Sequence, residues 1–271
     1  MTKYNINDKI LTMPEDDYHA ETKNGTYLSS HMLADFRTCP DFYQRKLAGQ
    51  VAEKPSAAYA LGTAAHKLIL EGNVAFNAAY TVAYGPVNPK TQQPFGRQTK
   101  AYADWLAAQT REIVSPTEYE WLERLRSAVQ LNDRAADLLS QGRPEGVVRA
   151  NYEGIPCQIR MDWFNPEYGI VDLKTASDLD WFDADIRRYG YIFQMAFYRA
   201  VLREATGYTV PVSIIAVEKD EPFRAGVWTL APDVLDEAER INTAAIKRLL
   251  RCRETGNWPT GFEQPRIVSS L

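Results

Sequence analysis

The chain reads as a single α/β domain, a mixed central sheet flanked by helices. Three observations carry this. Helical patterns fill the first half, a strand meander follows, and one helix, two strands and a closing helix complete the order, which layers helices on a sheet. Hydrophobic residues make up 45% of the 271 and charged residues 24%, enough apolar surface for a packed core and too little charge for global disorder. Finally, Ile155–Thr175 reads IPCQIRMDWFNPEYGIVDLKT. These are two alternating runs joined by a polar connection containing Pro166 and Gly169, the pattern of a β-hairpin.

Taken in order, residues 1–24 are polar and irregular and read as an N-terminal extension, with one domain over 25–271. Ser29 or Ser30 caps a helix that Pro40 interrupts. Pro55-Ser56 introduces a helix whose Leu61, Ala65, Leu68 and Ile69 share one face, with Gly62, Ala64 and Ala65 allowing close approach to the sheet. Tyr84–Lys100 is a long loop carrying Lys90, Arg97 and Lys100, and loops of that length inside a domain are often functional. A helix is expected over Thr99–Ile113. Ser115-Pro116-Thr117-Glu118 is a capping box with proline at the first helical position, opening a helix to about Ser140. Strands follow at Gly146–Tyr152, Ile155–Phe164 and Ile170–Thr175, then a helix over Tyr189–Glu204, strands Val210–Glu218 and Arg224–Leu230, and a last helix over Val234–Cys252.

Composition narrows the function classes. No run reaches the eighteen or so apolar residues of a membrane span, and MTKYNINDKILTMPEDD lacks the apolar centre of a secretory signal. Cys39, Cys157 and Cys252 form neither a disulfide framework nor a zinc pattern, so a cytoplasmic protein is expected. A net charge of −4 and a pI near 5.6 argue against a broad basic surface. A locally basic groove needs only a few placed Lys and Arg.

The hairpin carries the chemistry. Centred on Glu167, it sets Asp162 opposite Asp172, like charges with Cβ atoms roughly 5 Å apart, which repel unless a cation intervenes. Residues i and i+2 share a strand face, so Lys174 joins the carboxylates while Val171 and Leu173 point into the core. An acid–acid–lysine cluster outlines metal-assisted phosphodiester chemistry. A register shifted by one residue would turn Asp162 to the other face. His66, on a small-residue helix, reads alone as a packed core histidine, while imidazole is also a metal ligand. Gln194 and Tyr198, four apart on one helix face, read alone as a surface glutamine beside a buried tyrosine. Glu71 is either a helix-end charge or a neighbour of the site. Glu145 is either a surface charge or an additional acid.

Together these residues resemble the RecB-like branch of the PD-(D/E)xK nuclease superfamily. The matching pieces are the serine-led helix ending in C-P (Ser29 to Pro40), G-x-x-x-H (Gly62 to His66), the G-I-P-x-x-x-R-x-D strand ending at Asp162, V-D-L-K-T (Val171 to Thr175) and Q-x-x-x-Y (Gln194 to Tyr198). They occur in family order. The Y-H-A at Tyr18–Ala20 and the basic loop extend the likeness toward phage and prophage exonucleases of the RecE (exonuclease VIII) type. The resemblance implies a restriction-endonuclease-like core in which His66, Asp162, Asp172 and the Leu173 carbonyl hold Mg²⁺ or Mn²⁺, with two ions sharing Asp162. Lys174 would stabilise the transition state, and Gln194 and Tyr198 would position the strand. Ser29, Ser30 and Arg37 would grip a terminal phosphate, and Arg97 and Lys100 would contact DNA. The implied activity is 5′-to-3′ digestion of duplex ends that leaves a 3′ single strand. The implied partners are duplex DNA ends, a single-strand annealing protein and further copies in a homo-oligomeric ring. An endonuclease, a 3′-to-5′ nuclease or an inactive DNA-binding module are the alternatives. Some relatives ligate an iron–sulfur cluster with four cysteines; three cysteines, one of them near the C-terminus, cannot.

Overall fold

A computed structural model describes residues 3–52, 57–265 and 267. The expected helix start at Pro55-Ser56 lies outside them. Five strands form the central sheet in chain order: β3 (Arg143–Tyr152), β4 (Ile155–Asn165), β5 (Gly169–Ala176), β6 (Val212–Glu218) and β7 (Ala225–Thr229). Neighbours pair antiparallel except β5 and β6, which run parallel. Parallel neighbours need a crossover, here α9 (Phe182–Arg188) and α10 (Tyr191–Thr206). The mixed sheet flanked by helices is the architecture expected from the element order.

Two cores sandwich the sheet because its strands alternate faces. Ile170, Ala176, Val212, Ile214 and Ala216 face a core shared with α2 (Ser30–Thr38), α10 and α11 (Pro232–Thr255). Val171, Leu173, Ile215 and Val217 face the other, shared with α4 (Ala57–His66), α5 (Gly72–Ala79), α7 (Pro116–Leu131) and α8 (Asp133–Leu139). Burying an aliphatic side chain of this size contributes about 1.5–3 kcal/mol, which makes both faces of β5 and β6 costly to misregister. In α4 it is Ala64 and Ala65 that pack into this second core. A Cβ at Gly62 would meet nothing within 4 Å, so that glycine is not what brings the helix close.

Several local readings change. Residues 3–24 are not irregular: Glu15–Lys23 form helix α1, Tyr4, Ile6 and Ile10 are buried, and Leu11 bridges Val147 of edge strand β3. Apolar contact with the sheet orders a stretch whose composition is polar. The helix expected over Thr99–Ile113 ends as α6 (Lys100–Ala107), and Glu112–Val114 becomes β2, pairing parallel with β1 (Tyr80–Val82). Both strands are three residues long, too short for a periodic signal. The Ser115 capping box is present, with Ser115 N–H donating to Glu118 Oε2 and Glu118 N–H to Ser115 Oγ. The helix it opens breaks at Asn132, which is extended (φ −84, ψ 107) and caps α8 by accepting from Ala135 N–H; asparagine competes well as a cap.

Candidate hydrolytic site on the β4–β5 hairpin

The turn fixes the register. Asn165 Oδ1 accepts from Glu167 N–H at 2.8 Å and Tyr168 N–H at 3.1 Å. Gly169, at φ +82, sits where a Cβ would lie 2.3 Å from Pro211 O. The rungs are then Asn165↔Gly169, Phe164↔Ile170 and Trp163↔Val171, so position 162 falls opposite 172, as expected from a hairpin centred on Glu167. There the backbone ladder stops. Asp162 Oδ2 accepts from Leu173 N–H at 2.8 Å, so a carboxylate replaces the ladder carbonyl and the strands part.

The other side of Asp162 is also irregular. The β3–β4 ladder skips the rung of Glu145 with Asp162, and Glu145 has φ +53. Ile159, Met161 and Phe164 all belong to the first core, so β4 changes facing between Met161 and Phe164. Asp162 sits at that change and reaches His66 of α4, Nδ1 to Oδ2 3.4 Å. Immediately after His66 the chain makes a π-helical turn, Lys67–Glu71, a distortion common at functional sites. Glu71 pairs with Lys67 at 2.7 Å.

Asp172 is buried, and its Oδ1 has no hydrogen-bond partner. Lys174 Nζ stands 2.6 Å from Oδ2, an ion pair. Burial drives the Asp172 carboxyl up to about 7 against the pull of Lys174, and Asp162 pushes the same way. Burial alone would lower Lys174, but Asp172 and Asp162 outweigh it and raise it. Burial holds His66 below its ordinary value against Asp162, which leaves the neutral imidazole that metal ligation requires. Tyr198 is raised well above 10 by burial, with Tyr18, Asp162 and Asp172 adding to it. It therefore stays a phenol, and it receives Gln194 Nε2 at 3.3 Å.

Glu145 shows the consequence of facing Asp162. Burial, then the Asp162 charge, push its carboxyl up to about 8, although Arg160 Nε lies 2.9 Å away. An acid whose folded value exceeds its ordinary 4.5 costs no stability below that value, and its full cost is present above about 8. Glu145→Gln is therefore expected to raise the melting temperature at pH 8–9, on the order of 2 kcal/mol after allowing for its partial exposure. The advantage should vanish near pH 4. A Tm difference independent of pH would show that Glu145 is not held protonated.

The cluster gathers Asp162, Asp172, Lys174, His66, Gln194 and Tyr198, and adds residues that the sequence did not assign. Glu145 faces Asp162, Arg160 bridges Glu145 to Glu15 of α1, and Tyr191 places its ring 4.9 Å from Lys174 Nζ. His19 pairs with Glu15, and His31 lies within the field of Lys174. Tyr191, three residues before Gln194, was the one legible by helical spacing.

The proposed phosphate grip does not converge. Ser29 spends its hydroxyl capping α2, accepting from Met32 N–H. Arg37 lies in the last turn, about 10 Å along the axis, stacked on Phe193 and donating to Asn242 Oδ1. Of these three, Ser30 alone keeps a buried hydroxyl without a partner. Arg97 and Lys100 are exposed, on the loop and at the start of α6. That helix packs through Tyr102 against Ala83 and Gly85 rather than the hairpin.

Does the donor set fit a divalent cation? Among the described residues no three His, Cys, Asp or Glu side chains are drawn to one point, since Asp162 is held by Leu173 N–H and Asp172 by Lys174. The chemistry nonetheless fits: two carboxylates, a neutral imidazole, and in Asp172 a buried carboxyl group whose Oδ1 has no partner. A buried polar group in that condition is costly, and a hard cation is what carboxylate oxygens serve best.

A mixed sheet whose central hairpin carries D…D-x-K beside an inward histidine is the fold of the PD-(D/E)xK nucleases. Residues 29–269 match the family described as PDDEXK-like domain of unknown function (DUF3799), and the chain belongs to it. It is also similar in fold to a crystal structure from Eubacterium rectale described as "Putative exonuclease", with a TM-score of 0.68, 19% identity and 96% of each chain covered. No curated protein matches.

Proposed function

We propose that this protein is a divalent-metal-dependent deoxyribonuclease that digests duplex DNA from 5′ ends and leaves a 3′ single strand, as in RecE-type exonucleases. The observation that carries the hydrolytic part is Asp172, a buried carboxylate between Asp162 and Lys174 whose Oδ2 is ion-paired with Lys174 and whose Oδ1 has no partner. His66, Asp162 and Asp172, with the Leu173 carbonyl, would hold Mg²⁺ or Mn²⁺, as one ion or two sharing Asp162. Bound there, the metal would lower the pKa of a water and polarise the phosphoryl oxygens.

The chain's own residues do the rest. A water oxygen adds to phosphorus and gives up a proton to solvent, the P–O3′ bond breaks, and the departing oxygen takes a proton from solvent. Lys174 supplies a fixed ammonium where negative charge grows, the kind of preorganised donor that stabilises a transition state. Tyr198 stays protonated and can donate, with Gln194 orienting it, so the two can align the strand. The unpaired Ser30 hydroxyl at the start of α2 suits the terminal phosphate, which helix N-termini favour. The 5′-end reading rests on family likeness. So do a single-strand annealing partner and a homo-oligomeric ring, whose bore would concentrate basic side chains despite the net charge of −4.

The test is digestion of duplexes labelled at either the 5′ or the 3′ end, with Mg²⁺. Label should leave the 5′ end first, several-fold faster from 5′-phosphorylated than from 5′-hydroxyl ends, and Ser30→Ala should narrow that difference. Early loss of 3′ label would reverse the polarity. Rapid nicking of closed circular DNA would make the enzyme an endonuclease on the same fold.

A further inference from the structure

Tyr189 has no part in the hydrolytic cluster, yet it stands beside it. α9 ends at Arg188, and Gly190, left-handed at φ +71, turns the chain directly into α10 at Tyr191. The turn sets two rings together, with the Tyr189 and Tyr191 centroids 5.8 Å apart and their planes 34° from parallel. Tyr191 is partly buried, leaning on Phe182 at 6.2 Å and carrying Lys174 Nζ 4.9 Å from its centroid. Tyr189 is the outermost ring and is 58% exposed. The guanidinium carbon of Arg188 stands 5.5 Å from its centroid, and Arg187 and Arg188 are both exposed.

A single exposed aromatic is ordinary on a protein surface. The continuity is what distinguishes this one: rings lead from the ammonium beside Asp172 out to solvent, and cations flank the outer ring. Rings edged by arginine are the sequence-tolerant chemistry for unpaired nucleobases, stacking the base while the cation meets the phosphate. A continuous duplex presents no base face to such a ring, so the fit is to a nucleotide already out of its pair. Reaching a scissile phosphodiester at Lys174 from a duplex end also requires the terminal pairs to open.

We propose that Tyr189, backed by Tyr191 and flanked by Arg188, is a stacking site for an unpaired base of the strand whose phosphodiester lies at Lys174. This rests on the nuclease reading above. The site would hold a frayed terminal nucleotide on the enzyme and so favour opening of the duplex end over its closing. It carries no base preference, because every base has a π face.

Binding of the full chain to 5′-phosphorylated oligonucleotides, measured by fluorescence anisotropy with Ca²⁺ in place of Mg²⁺, tests it. An abasic deoxyribose is placed in turn at each of the first three nucleotides. In wild type the base should strengthen binding about tenfold at one of these positions, the scale of a single stacking contact. Tyr189→Ala should erase that difference while leaving affinity for the abasic strand unchanged, and Tyr189→Phe should keep it. The exposed ring contributes little to folding, and its backbone bond to Asp185 O does not depend on the side chain. Equal binding of base-containing and abasic strands by wild type would overturn the stacking site and leave the nuclease reading standing. So would an equal loss for both strands in Tyr189→Ala. No DNA binding at all would overturn both.

Discussion

Lys174→Ala is expected to lower turnover by about two to three orders of magnitude, the scale seen when one preorganised donor to a developing oxyanion is removed, with little loss of DNA affinity. The ammonium is enclosed: Asp172 Oδ2 lies at 2.6 Å on one side and the Tyr191 ring at 4.9 Å on another, and its charged form is held by both Asp172 and Asp162. The ammonium form is therefore favoured, which suits a fixed positive charge rather than a base. Lys174→Arg keeps the charge and should still fail to restore the rate, because a planar guanidinium does not fit where a compact ammonium stood. Single-turnover rates with saturating duplex, beside binding isotherms over a salt series, separate the two roles. If Lys174→Ala weakens affinity and turnover equally, and the salt slope falls, Lys174 is an ordinary phosphate contact.

Asp162→Ala and Asp172→Ala should each reduce Mg²⁺-dependent digestion to the assay background while the circular dichroism spectrum is retained. The second measurement is thermal. Mn²⁺ at about a hundred times its Kd should stabilise wild type by about 2.7 kcal/mol, and the shift should disappear in both carboxylate variants. His66→Ala should move the Mn²⁺ midpoint to higher concentration with a modest change in the metal-free melting temperature. The opposite pattern, a collapsed melting temperature with unchanged Mn²⁺ dependence, would make His66 a packing residue. Wild-type cleavage rates in either carboxylate variant would remove Asp162 or Asp172 from the site altogether.

The hairpin was legible because its determinants are local. Asn165, Pro166 and Gly169 specify where the chain reverses, alternation specifies which residues share a face, and from these the opposition of 162 and 172 follows without any tertiary contact. The same holds for the Ser115 cap and for the helix–strand order that set the mixed sheet. Glu145 stayed open between a surface charge and an additional acid. Its neighbour Asp162 is seventeen residues away across a ladder that skips their rung, and its burial is set by the packed fold rather than by local sequence. Residues 1–24 misled because composition averages over positions, whereas Tyr4, Ile6 and Ile10 need only a few apolar contacts on the sheet to order the stretch. Arg37 misled in another way: it shares a helix with Ser30, but helical rise carries it to the far end, where Phe193 and Asn242 hold it.

What the sequence determined by itself, then, is the α/β class, the hairpin register and the identity of the acid–acid–lysine set, since turn chemistry and two-residue alternation act over a few positions. What only the tertiary structure decided is the electrostatic state of that set. Whether a carboxylate is costly depends on how much water the fold removes and which charges it leaves nearby. Asp172 and Glu145 acquired their raised values from burial and from the Asp162 charge, which only the packed fold brings together.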